Sequence, residues 1–166
     1  MRRISNCKTL LLCTLLLVSS ITNAQESKFQ AIFLYKFIEN VSWPDARKTI
    51  VVGVVGETAV QAEFEKMLKS RGNTNLTVRK ITSADASSCD VVYIPESQSP
   101  GFSALLEKLT GKSILIVTEA ADLAKKGAGI SFLKDGSKLS FAINKLSLDA
   151  RSLKVSVTLL TLGKEI

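Results

Sequence analysis

The sequence predicts an α/β protein: a single-domain layered sheet, mostly parallel, with an antiparallel hairpin at one edge and helices on both faces. Three observations predict it. Short runs of β-branched residues alternate with helix-period segments between Thr49 and Val117, the order that parallel strands with covering helices require. Asp135-Gly136 lies between two apolar runs, a strong hairpin signal. Finally, no internal repeat, low-complexity stretch or linker divides the chain.

The first element is not part of that domain. Arg2, Arg3 and Lys8 make a positive start, Leu10–Val18 is apolar, and Thr22-Asn23-Ala24 places small residues where a signal peptidase reads. This order of features predicts a cleavable secretory signal over Met1–Ala24. The apolar run is shorter than the roughly 20 residues that span a bilayer core, which argues against a membrane anchor. Leu12 before Cys13 argues against lipoprotein processing, which needs a small residue there. The expected mature domain is then residues 25–166, 142 in all. A domain of this size buries roughly 68% of its unfolded surface and needs no covalent staple.

Removing the signal leaves 19 basic residues against 15 acidic ones, a net charge of +4 instead of +7. These charges are spread along the chain and form no nucleic-acid footprint. Cys7 and Cys13 leave as well, so Cys89 has no partner for an internal disulfide. It precedes an apolar strand and reads as a small buried hydrophobe, with an intermolecular bridge as the alternative.

Ser27–Asn40 reads as a helix. Phe29, Phe33, Phe37 and Val41 fall on one side, and Leu34, Ile38, Ala31 and Tyr35 on much of the rest. A helix apolar over more than one stripe is either sandwiched in the core or covered on its second side by another protein. Pro44 ends it. Thr49–Val55 is a buried strand, and Thr58 with Gln61 opens the next helix as a capping box. That helix places Val60, Phe64, Met67 and Leu68 on one face and breaks at Gly72-Asn73. Leu76–Ile81 and Asp90–Ile94 are strands. Ser99-Pro100 starts a helix with the core stripe Phe102, Leu105, Leu106 and Leu109. Ser113–Val117 is a strand, and Thr118 caps a short helix stopping at Gly127. Gly129–Leu133 and Lys138–Ile143 form the hairpin, and Asn144 caps a helix through Arg151. Leu153–Leu162 alternates and then turns apolar, a pattern open to strand or helix.

The chemistry is sparse. The chain has no histidine, which removes Ser-His-Asp and Cys-His arrangements and the commonest zinc ligand. Gly53-Val54-Val55-Gly56 lacks the spacing and the lysine of a phosphate loop. No catalytic residue, metal ligand or cofactor is expected. Glu57, Ser97 and Glu119 fall at strand ends, where α/β sheets hold ligands. They fit a small-ligand rim, but helix first-turn placement accounts for Glu57 and Glu119 without a ligand. Trp43 is either a recognition residue or a core plug; the usual burial of tryptophan favours the plug.

Ala31-Ile32-Phe33-Leu34-Tyr35-Lys36-Phe37 followed by Val41-Ser42-Trp43-Pro44 resembles the opening of the YfiR family (DUF4154). The resemblance runs on through Ile50–Gly56 and Cys89–Ile94 to Gly129-Ile130-Ser131-Phe132 and Leu139–Asn144. It implies a periplasmic regulatory protein, not an enzyme, that binds the periplasmic part of an inner-membrane signalling protein. That partner would be a diguanylate cyclase or a sensor kinase. Relief of repression by an outer-membrane lipoprotein, control of cyclic-di-GMP and biofilm formation, and a homodimer are implied with it. Cys89 matches a cysteine that is disulfide-bonded in well-known members, but the mature chain offers it no partner. Disulfide-based control is therefore not carried over. The resemblance gives the over-apolar first helix a use: Phe33, Leu34 and Phe37 become candidates for a partner or dimer interface. The alternative is a periplasmic small-ligand-binding protein using the strand-end rim.

Overall fold

A computed structural model describes residues 24–136 and 138–166. The expected signal over Met1–Ala24 lies outside the described residues except for Ala24. Helix α1 covers residues 24–39. It is followed by β1 (Val41–Ser42), β2 (Ile50–Val55), α2 (Ala59–Arg71), β3 (Leu76–Ile81) and β4 (Val91–Ile94). Then come α3 (Phe102–Lys108), β5 (Leu115–Thr118), β6 (Ile130–Asp135), β7 (Lys138–Ile143) and α4 (Lys145–Ala150). The chain ends with β8 (Lys154–Val155), α5 (Val157–Leu162) and β9 (Lys164–Glu165).

Seven strands form one sheet in the order β3-β2-β4-β5-β6-β7-β9, and β1 pairs with β8 in a separate two-stranded sheet. The pairs from β3 through to β6 are parallel. The β6–β7 hairpin is antiparallel, with Asp135 opposite Lys138 and Gly136 at φ +58°. The hairpin does not hold the edge itself. Strand β9 pairs outside it, parallel to β7.

Alternation along the central strands divides the core in two. Val52, Val54, Val91, Tyr93, Leu115 and Val117 face one side, where they meet α1, α2 and Leu148 of α4. Val92, Ile94 and Ile116 face the other side, with Phe102, Leu105 and Leu109 of the α3 segment. The sheet is therefore covered on both faces, as a parallel sheet requires. Gly53 sits where β2 must pass close to a neighbour. A Cβ there would lie 2.6 Å from the Sγ of Cys89 and 2.6 Å from Ile81 Cδ1. Cys89 is accordingly buried and free. Asp90 ties the loop after β1 to the sheet: its carboxylate pairs with Arg47 and accepts the Val51 N–H at 2.7 Å.

Local details depart from the expected caps. Thr58 is the N-cap of α2 and accepts from Val60 N, but the Gln61 side chain donates to Glu65 one turn ahead instead of reaching back. Before α3, residues Glu96–Gly101 form a 3-10 turn that contains Pro100, so the α-helix begins at Phe102. Proline disfavours α geometry at the residue before it, which moves the helix start downstream. The Thr118 hydroxyl accepts from Ala120 N, and the segment Ala121–Lys126 is also a 3-10 turn, ended by Gly127 at φ +111°. Asn144 caps α4 through Ser147 N, as its position predicts. The ambiguous tail is both strand and helix. Ser156 separates β8 from α5 by capping α5 and donating to Asn40 Oδ1 at 2.7 Å. Trp43 packs on the main core while half-buried, its indole Nε1 enclosed without an acceptor.

Candidate partner-binding surface

Residues 29, 33 and 37 are spaced four apart and trace one line along α1. Their environments grade from solvent to core. Phe37 is fully buried, its ring centroid 4.8 Å from that of Phe141 and 5.6 Å from that of Phe132. Phe33 is half-buried against the rings of Phe37, Phe141 and Phe132. Phe29 is 46% exposed. The first turns of α1 run beside the tip of the β6–β7 hairpin.

Of the three candidate interface residues, Leu34 and Phe37 are enclosed in the chain's own core with no exposed surface. Phe33 retains some. Phe29 is the outward end of the same stripe. The four-residue spacing contains it, but only the fold shows which end of the stripe emerges. The second apolar side of α1 is largely covered from within the chain. Tyr35 is buried beneath the α2 terminus, with the guanidinium of Arg71 4.7 Å from its ring centre, and Ala31 and Ile32 line a groove shared with Met67.

The first turns of α1 and the hairpin enclose a cleft of about 440 Å³, lined by Gln25, Glu26, Phe29, Lys134, Lys138 and Leu139. Glu26 and Lys134 form an ion pair across it at 2.5 Å. The hydrogen bond that Lys134 donates to Glu26 holds its ammonium above its ordinary pKa, against the opposing effect of burial. Deeper in the fold, the Tyr93 hydroxyl donates to Glu119 Oε1 at 2.7 Å, and Glu96 N–H donates to Oε2 at 3.0 Å. Burial, then the charge of Glu119, push the Tyr93 pKa far above its ordinary value.

The strand-end residues each have their own surroundings. Glu119 is engaged by Tyr93 and the Glu96 backbone, Glu57 pairs with Lys80, and Ser97 is exposed on the 3-10 turn. The Lys80 hydrogen bond holds the Glu57 carboxyl below its usual range. Glu57 precedes the Thr58 cap, so its partner is a neighbouring strand and not its own helix. Among the described residues, no group of three or more His, Cys, Asp or Glu is placed to hold a metal, and no helix is long and apolar enough to cross a membrane.

The class these features define is an α/β domain with a partly exposed aromatic side chain beside a charged cleft. The chain belongs to the YfiR/HmsC-like family, which matches residues 27–164. That family is one of periplasmic regulators and is regulatory, not catalytic. Among solved structures, the chain is similar to the ABC domain in complex with L-Trp from Streptococcus pneumonia, with 12% identity and a TM-score of 0.57. The likeness covers 84% of this chain and 59% of that one, and it shows the fold alone. A search of curated proteins finds no match.

Proposed function

We propose that this chain is exported to the periplasm through its N-terminal signal and represses an inner-membrane signalling protein by binding its periplasmic part. A diguanylate cyclase is the partner best suited to this reading, which makes cyclic-di-GMP and biofilm formation the downstream outputs. The observation that carries the reading is family membership across residues 27–164. The geometry supplies a surface for it: the Phe29–Phe33 end of α1 and the adjoining hairpin, used for the partner or for a homodimer. Phe33 belongs to this surface directly, whereas Leu34 and Phe37 lie in the core.

The test is cellular. Deleting the gene raises cyclic-di-GMP, restoring it lowers the level, and restoring Phe29→Asp at equal abundance does not. An unchanged nucleotide level on deletion would overturn the cyclase reading. Repression by the Phe29→Asp variant equal to the parent's would overturn the surface.

A second reading, a periplasmic small-ligand-binding protein, is favoured by the 440 Å³ cleft with its exposed phenyl ring and mixed charges. It moves the ligand from the strand-end rim to the α1–hairpin cleft. A saturable rise in melting temperature with a free amino acid such as L-tryptophan, abolished by Phe29→Ala, would favour it.

A further inference from the structure

Arg151 is 8% exposed, and among the described residues its side chain makes one hydrogen bond, from Nη1 to the carbonyl of Leu109 at 2.9 Å. That carbonyl closes α3, where unpaired helix carbonyls carry partial negative charge, so part of the guanidinium is accounted for. Among the described residues no carboxylate pairs with it. A buried cation ordinarily has an anionic partner, because desolvation without one is costly. Burial alone pulls the Arg151 pKa below its usual value.

Arg151 is one of the residues lining a cleft of about 510 Å³ between the end of α3, the turn at Gly127 and α4. Every charged residue on its wall is cationic: Lys125, Lys126 and Arg151. Lys126 is paired with Asp122, whereas Lys125 has no ion pair among the described residues. The polar wall residues are used within the fold: Thr110 donates to Leu106 O, Ser147 to Gly127 O, and Asn144 to Ala124 O. Leu146 stands on the same wall at 79% exposure, with half-buried Leu106 beside the cleft.

We propose that this cleft receives an acidic segment of a protein partner, with a carboxylate against Arg151 and Lys125 and an apolar side chain on Leu146. Charge complementarity selects an anion, and the adjoining leucines select an anion attached to something apolar. A shallow cationic cleft with one projecting leucine suits a polypeptide better than a bilayer, where binding scales with buried apolar area. The cleft shares no lining residue with the one at Phe29. It rests on the regulatory reading only in taking the occupant to be a protein.

The experiment is an amide NMR titration of the exported protein at low salt with the peptide acetyl-Glu-Leu-Glu-Leu-Glu-amide. The expected result is saturable shifts centred on Gly111, Gly127, Leu146 and Ser147. Binding should weaken roughly tenfold in Lys125→Glu, a surface change that leaves the melting temperature intact. Arg151→Lys gives a second variant that keeps the charge but not the planar donor set, and it should weaken binding too. No saturable shift at the cleft would overturn the proposal. So would equal shifts with the lysine counterpart peptide, unchanged affinity in Lys125→Glu, or binding only to phosphatidylglycerol vesicles. Failure of the regulatory reading registers separately, in the cyclic-di-GMP response to deletion.

Discussion

Replacing Phe37 by alanine separates the buried end of α1 from its exposed end. Phe37 has no exposed surface and packs against the rings of Phe33, Phe132 and Phe141. A buried Phe→Ala change costs about 3–5 kcal/mol, from lost transfer energy and the cavity left behind. The three ring contacts, each worth about 0.5–1.5 kcal/mol beyond area, place the expected loss toward the upper end of that range. With a urea dependence of about 2 kcal/mol per molar, the unfolding midpoint should fall by about 2 M. Phe29→Ala, on the same stripe but 46% exposed, should cost no more than about 0.5 kcal/mol. Urea titration followed by circular dichroism and by the emission of Trp43, the chain's lone tryptophan, measures both. A loss below about 1.5 kcal/mol for Phe37→Ala, or equal losses for the two variants, would refute the assignment of these ends to core and surface.

Three further variants have expected outcomes. Gly53→Ala should destabilise by about 1–3 kcal/mol, because the new methyl meets Cys89 and Ile81 at 2.6 Å; thermal melting reads this directly. Tyr93→Phe should cost about 1–3 kcal/mol at neutral pH by leaving Glu119 short of a donor. The same variant should also flatten the alkaline limb of the stability curve. The folded Tyr93 holds its proton above the ordinary value of 10.0 while the unfolded chain releases it, so stability falls as pH rises past about 10, and only when the hydroxyl is present. Equal alkaline slopes for parent and variant, measured by urea titration between neutral pH and the alkaline limb, would count against this. Thr58→Ala should cost about 1 kcal/mol by uncapping α2, visible in denaturant titration; a loss confined to the Gln61 side chain's variant would instead favour the reciprocal cap that the structure lacks.

Much of the architecture was legible because it rests on local signals. The β-branched runs at Ile50–Val55 and Val91–Ile94, the Asp135-Gly136 turn and the caps at Thr58 and Asn144 each depend on neighbours within a few residues. What stayed hidden depends on distant partners. Strands β8 and β9 have two residues each and exist only because β1 and β7 present free edges to them. The hydrogen bond between Tyr93 and Glu119 spans 26 positions, and nothing in their spacing announces it. The first helix was legible as over-apolar, but that pattern is compatible with two covers. In the structure α2 covers much of the second side, and Phe132 and Phe141 of the hairpin cover Phe37 on the first, so Leu34 and Phe37 lie inside the fold and the emerging end lies at Phe29.

That assignment constrains the size of any interface on α1. A stable protein–protein contact buries roughly 800 Å² on each partner. One half-exposed phenylalanine and the edge of a second supply only a fraction of this. An interface centred there must extend over neighbouring surface, and the adjoining surface is the β6–β7 hairpin with Lys134, Lys138 and Leu139. The contact is then composite: an aromatic anchor from α1 and a hairpin rim on which Lys138 is a cation with no ion pair among the described residues. A rim of this kind steers an acidic partner and makes association sensitive to salt, whereas the phenyl anchor sets how long the complex lasts. Lys138→Glu should therefore slow association and weaken its salt dependence, whereas Phe29→Ala should chiefly speed dissociation. A partner that bound through the enclosed face of α1 would show neither effect, because reaching Leu34 and Phe37 requires opening the core that holds the helix to the sheet.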